Sequence, residues 1–196
     1  MARRSIKGAG FQSVVADLVK LRDSEGITQD ELEARLPADD LALLEEKMNP
    51  AGWYDLGAYE RFMEILIERE GGSDPTAYLH RRGAALCERL IAAGTYAQLE
   101  IVERMDDDRK RERLLKDVRL ITTIYSALLD FATLHADNDP ELGIYLEITD
   151  AADFPETLRI VITGVMTFLS QRISPELPGY TSERVTDDRI RFERLR

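Results

Sequence analysis

The spacing of apolar residues changes period near residue 139, and that change restricts the chain to a mixed α+β fold. Gly143-Ile144-Tyr145-Leu146-Glu147-Ile148 alternates in the manner of a half-buried strand. Phe154 to Ile173 returns to helical spacing, and Tyr180 to Val185 and Ile190 to Leu195 read as a closing hairpin. Everything before Asn138 has helical periodicity. The expected architecture is a mainly helical N-terminal part over 1–138, packed on a small C-terminal antiparallel βαββ module over 139–196. At 196 residues the chain can fill one core, so a single domain over 1–196 is expected.

Within the helical part, the punctuation residues set the boundaries. Phe11, Val14, Val15, Leu18 and Leu21 share a stripe that Gly26 ends. Thr28-Gln29-Asp30-Glu31 is a capping box opening a short helix. Asp39 or Asp40 is the expected cap of a helix over Leu41–Met48, and Asp55 that of a helix carrying Leu56, Tyr59, Met63 and Leu66. Asp74-Pro75 starts another helix with proline at its permitted first position, and Gly94 ends it. A second capping box, Thr95-Tyr96-Ala97-Gln98, restarts the chain. The charged run Met105 to Glu112, acids before bases, suits the start of a long helix. Leu114, Val118, Ile121, Tyr125, Leu128 and Ala132 then form a stripe that suits a core or a dimer seam. In the crossover helix Gly164 lies among Val161, Ile162, Val165 and Phe168, where glycine costs about 1 kcal/mol against alanine. Close approach of this helix to the sheet is the expected compensation.

Charge and composition exclude several classes of function. A formal net charge of −11 opposes general affinity for nucleic acid. Ile27 to Leu32 has the look of half a helix-turn-helix, but acids rather than a basic recognition helix follow it. No apolar run is long enough to span a membrane, and Met1-Ala2-Arg3-Arg4-Ser5 has no apolar segment behind it, so neither membrane nor export is expected. Cys87 is the only cysteine, which fits a reducing cytoplasm.

Candidate chemistry is sparse. His80 and His135 are the only histidines, one on the helix of Cys87 and the other placed near the end of the long helix, where a cation suits the macrodipole. Cys87 reads as a small buried hydrophobe. Gly8-Ala9-Gly10 before a helix has the form of a phosphate cradle, yet no phosphate-binding fingerprint follows. No catalytic triad, metal site or cofactor is expected, and the chain is read as a non-enzyme. Trp53 and Tyr54, in the loop Asn49-Pro50-Ala51-Gly52, either rim a pocket or pin the loop to the core.

Pro50-Ala51-Gly52-Trp53-Tyr54-Asp55-Leu56 with Tyr59-Glu60-Arg61-Phe62, and Gly83-Ala84-Ala85 with Ala92-Ala93-Gly94-Thr95-Tyr96, carry a family resemblance. So does the late order of strand, Pro155, Gly164 and hairpin. Over most of its length the chain resembles a large paralogous family of myxobacterial proteins of about this size. That family is distantly similar to heme-nitric-oxide-binding (H-NOX) domains and to the small subunits of TRAPP vesicle-tethering complexes. The resemblance implies a ligand-binding or scaffolding domain with an apolar pocket. H-NOX domains hold heme through a histidine on a helix and a Tyr-x-Ser-x-Arg motif, and this chain is expected to have no such motif anywhere. The comparable stretch here, Tyr145-Leu146-Glu147-Ile148-Thr149, keeps only the tyrosine, so heme is not expected. TRAPP small subunits can carry an acyl chain on a cysteine, and Cys87 is on a helix, but nothing around it marks that site.

The function expected is that of a sensor or adaptor binding an apolar small molecule, a protein partner, or both. Its pocket is placed between the crossover helix (Val161, Val165, Phe168) and the long helix (Ile121, Tyr125, Leu128), with Trp53 and Tyr54 as further candidates. The alternative is a structural homodimer without a ligand.

Overall fold

The computed structural model describes residues 4–92, 107–140, 143–173 and 175–195. They form two compact units. One combines the described residues up to Pro75 with Ala127–Phe131, and the other combines Thr76–Ser126 with Ala132 onward. The capping box at Thr95–Gln98, the terminator Gly94 and the beginning of the charged run at Met105 lie outside the described residues.

In the first unit, β1 (Ser5–Lys7) leads directly into α1 (Gly8–Asp23). After it come α2 (Gln29–Arg35), α3 (Ala38–Glu45), β2 (Trp53–Asp55) and α4 (Leu56–Glu70). β1 and β2 pair antiparallel, Ser5 opposite Asp55 and Lys7 opposite Trp53. The chain returns at residues 127–131, where Leu129 bridges Ile6 and the Ser5 amide donates to Asp130 Oδ1 at 2.7 Å. Phe11, Val14, Val15 and Leu18 of α1 are buried, as are Tyr59, Phe62, Met63 and Leu66 of α4. The Phe11 ring lies 5.4 Å from Phe62 and 5.7 Å from Tyr59 in tilted and edge-on geometry, the arrangement aromatic quadrupoles favour.

Two polar devices hold this unit's shorter helices. At α2 the capping box forms as expected: the Glu31 amide donates to Thr28 Oγ1 at 3.2 Å, and the Thr28 amide to Glu31 Oε2 at 2.9 Å. That backbone bond, with the Arg69 guanidinium at 2.6 Å, draws the Glu31 carboxyl down to about 2. At α3 the expected cap is replaced. The helix begins at Ala38 after Pro37, and Asp40 is buried, accepting two hydrogen bonds from Arg61 of α4 at 2.6 and 3.0 Å. A carboxylate out of water needs a cation and hydrogen bonds in exchange, and Arg61 supplies both. Asp55 occupies the N-cap position of α4 but makes no side-chain cap bond.

The second unit contains α5 (Pro75–Ala92) from Thr76 on, α6 (Asp107–Leu128) as far as Ser126, β3 (Thr133–Asp139), β4 (Gly143–Thr149), α7 (Glu156–Ile173), β5 (Tyr180–Thr186) and β6 (Arg189–Arg194). Its strands form one antiparallel sheet in the order β3-β4-β6-β5. Ile144, Leu146 and Ile148 of β4 and Ile190 and Phe192 of β6 are buried on one face. On the other, the register aligns His135, Glu147, Arg191 and Glu183 across all four strands. Glu147 holds Arg191 at 3.1 Å and Arg189 at 3.7 Å.

Two glycines govern how α7 meets α5. A Cβ on Gly83 would lie 2.1 Å from the Val161 carbonyl oxygen, and one on Gly164 would lie 2.3 Å from that of His80. The two backbones touch, which only residues without a side chain allow. The compensation expected for Gly164 is therefore present, but its partner is α5 and not the sheet.

The mainly helical α+β class with a C-terminal strand module is as expected, and the module begins earlier than the periodicity indicates. The long helix ends at Leu128, and Thr133–Asp139 pairs with β4 from Thr133↔Thr149 to Asp139↔Gly143. Ala132 continues the helical spacing by coincidence, and His135 lies on an exposed strand, not at a helix terminus. Leu114, Val118 and Ile121 of the long-helix stripe are buried within the monomer, as a core reading requires.

Two measurements test these contacts. Gly164→Ala should lower stability by about 2 kcal/mol, since overpacking against a carbonyl outweighs the gain of about 1 kcal/mol in helix propensity. Chemical denaturation of a variant as stable as the parent would refute the crossing. The Glu31 carboxyl lies below its ordinary 4.5 when folded, so its stabilisation is present above that pH and is lost as pH falls towards 2. Melting curves of Glu31→Gln and the parent should differ at pH 7 and converge across that window.

Candidate functional site

The expected pocket residues fall in different surroundings. In the first unit, Trp53 is 49% exposed, with Lys7 Nζ 5.1 Å from its ring centroid. Tyr54 is half-buried; its hydroxyl accepts from the Asn49 amide at 2.9 Å, and its ring meets Phe11 edge-on at 6.3 Å. Tyr54 pins the loop and Trp53 does not. Leu128, half-buried at the end of α6, belongs to this unit, near Gly10. In the second unit Ile121 and Tyr125 are buried on α6, and Val161 and Val165 on α7, while Phe168 is half-buried. The Val161 carbonyl and Val165 amide lie at the Gly83 crossing.

The glycine-flanked start of α1 is occupied by the protein itself. The Gly8 amide donates to Gly52 O and the Ala9 amide to Pro50 O, both at 2.9 Å. Amides that could have cradled a phosphate instead close the 49–54 loop, in line with the missing fingerprint.

The reactive side chains of the second unit are subdued by burial. Cys87 is buried, which pushes its thiol up to about 11, so little thiolate exists at neutral pH. Asp117 is also buried, and desolvation raises its carboxyl against the opposing pull of Arg113, whose Nε lies 3.0 Å away. Among the described residues no group of three or more histidine, cysteine or acidic side chains is placed to hold a metal ion.

The expectation that the chain lacks a Tyr-x-Ser-x-Arg motif is wrong: Tyr180-Thr181-Ser182-Glu183-Arg184 carries it, in the strand expected only as half of the closing hairpin. Tyr180, Ser182 and Arg184 lie at alternate positions of β5. The Tyr180 hydroxyl is buried and donates to Ile144 O at 3.1 Å, reaching over β6 to β4. Ser182 Oγ accepts from Arg159 Nη1 at 2.5 Å and shares a proton with Thr163 Oγ1 at 2.7 Å, joining β5 to α7. Arg184 donates to the carbonyls of Ala151 at 2.7 Å, Asp187 at 2.9 Å and Phe154 at 3.1 Å. The triplet is a clamp between β5, α7 and the loop after β4. The signal was available in the order of residue types, but Ser182 and Arg184 are polar at positions where apolar alternation was sought.

No family model matches the chain, and no curated protein matches it. Solved structures do. The fold is H-NOX-like, and the likeness extends over nearly the whole chain. An Fe(II) unliganded H-NOX protein variant from K. algicida superposes with a TM-score of 0.61 at 11% identity, covering 96% of this chain and 95% of that one. An H-NOX protein from S. oneidensis in the Fe(II)NO state gives 0.56 at 14% identity, covering 97% and 99%. A variant of T. tengcongensis H-NOX gives 0.53 at 13%, covering 97% and 98%.

The residues present do not fit heme. Of the two histidines, His80 is on α5 where Gly164 abuts its own carbonyl, and His135 is exposed on β3 opposite Glu147. On β4, Glu147 brings negative charge, already matched by Arg189 and Arg191, where a propionate would require a donor. The donors of Tyr180 and Arg184 are engaged by backbone carbonyls. Titration of the full chain with hemin should therefore give no sharp ligand-field spectrum, whereas Tyr180→Phe should cost about 1 kcal/mol of stability through its lost buried hydrogen bond. A shifted, saturable heme band that Tyr180→Phe weakens would contradict this.

Proposed function

We propose that this chain is a sensor or adaptor domain that binds a small molecule without heme and without catalysis, and relays occupancy to a protein partner. The observation that carries the reading is the H-NOX-like fold matched over 96% of the chain, with chains of known sensor-type architecture and without their metal-ligand chemistry. In the second unit Ile121, Tyr125, Val161, Val165 and Phe168 would line the apolar site. The chain would belong to the myxobacterial family it resembles and reside in the cytoplasm, which its one cysteine, buried and free, suits. No described helix is long and apolar enough to cross a membrane.

Native mass spectrometry on freshly purified protein, with an absorption spectrum of the same sample, tests the proposal. Excess mass that denaturation releases, with no heme band, is the expected result, and Phe168→Ala should reduce it. A bare monomer mass in several preparations, unchanged by incubation with lipid or metabolite extracts, would overturn the small-molecule reading. A bare dimer mass would favour the structural homodimer.

A further inference from the structure

We draw no further inference here: the strongest candidate, the surface patch around the half-exposed Trp53 ring on the β1–β2 ribbon with Lys7 beside it, carries nothing because nothing in the structure shows what covers it.

Discussion

The second unit depends on one contact, the meeting of the α5 and α7 backbones at Gly83 and Gly164. Because neither residue has a Cβ, α7 can approach α5 to carbonyl contact distance while its opposite side remains against the sheet. Any side chain at either position would lift α7 off α5 and strain the bonds joining α7 to β5, including those of Thr163 and Thr167. The sheet, the β5 clamp and the loop after β4 are thus positioned by a pair of absences. Interiors are close-packed and transmit displacement, so this crossing fixes far more than its own two residues.

That geometry explains why a likeness of fold carries so little chemistry with it. Tyr180, Ser182 and Arg184 occupy the same spacing as a propionate-binding motif, yet on β5 they are consumed in holding strand to helix. A hydrogen-bond donor with a good backbone acceptor has nothing left to offer a ligand. The same residue types in the same order can thus serve recognition in one setting and cohesion in another, and only the acceptors nearby distinguish the two.

Much of the architecture was legible because long elements bury a regular stripe. α1, α4, α7 and β4 show the periodicity that their burial demands. The failures are equally physical. β3 is an edge strand whose only well-buried apolar side chain is Leu134, so it displays no alternation, while Ala132 and Leu128 imitate another helical turn. β2 is three residues long, too short for any period. Asp40 reads as a cap from its neighbours, since the cation that buries it, Arg61, lies on a different helix. Of the candidate site, the inertness of Cys87 and the absence of a phosphate fingerprint at α1 could be read from local sequence. The order of the triplet on β5 was legible too, but its role as a clamp was not, because its hydrogen-bond partners lie far away in the chain.

The first unit is discontinuous: residues 127–131 come back to it, with Leu129 against Ile6 and Asp130 against the Ser5 amide. A ribosome releasing this chain from its N-terminus produces α1 to α4 long before the segment that closes β1. For the whole time taken to make α5 and α6, one edge of a two-stranded ribbon stands open, and such edges recruit other strands. The brevity of β1, with Lys7 beside its exposed edge, limits that hazard. Order of synthesis and order of completion are therefore inverted, since β1 is made before α6 yet closed only after it.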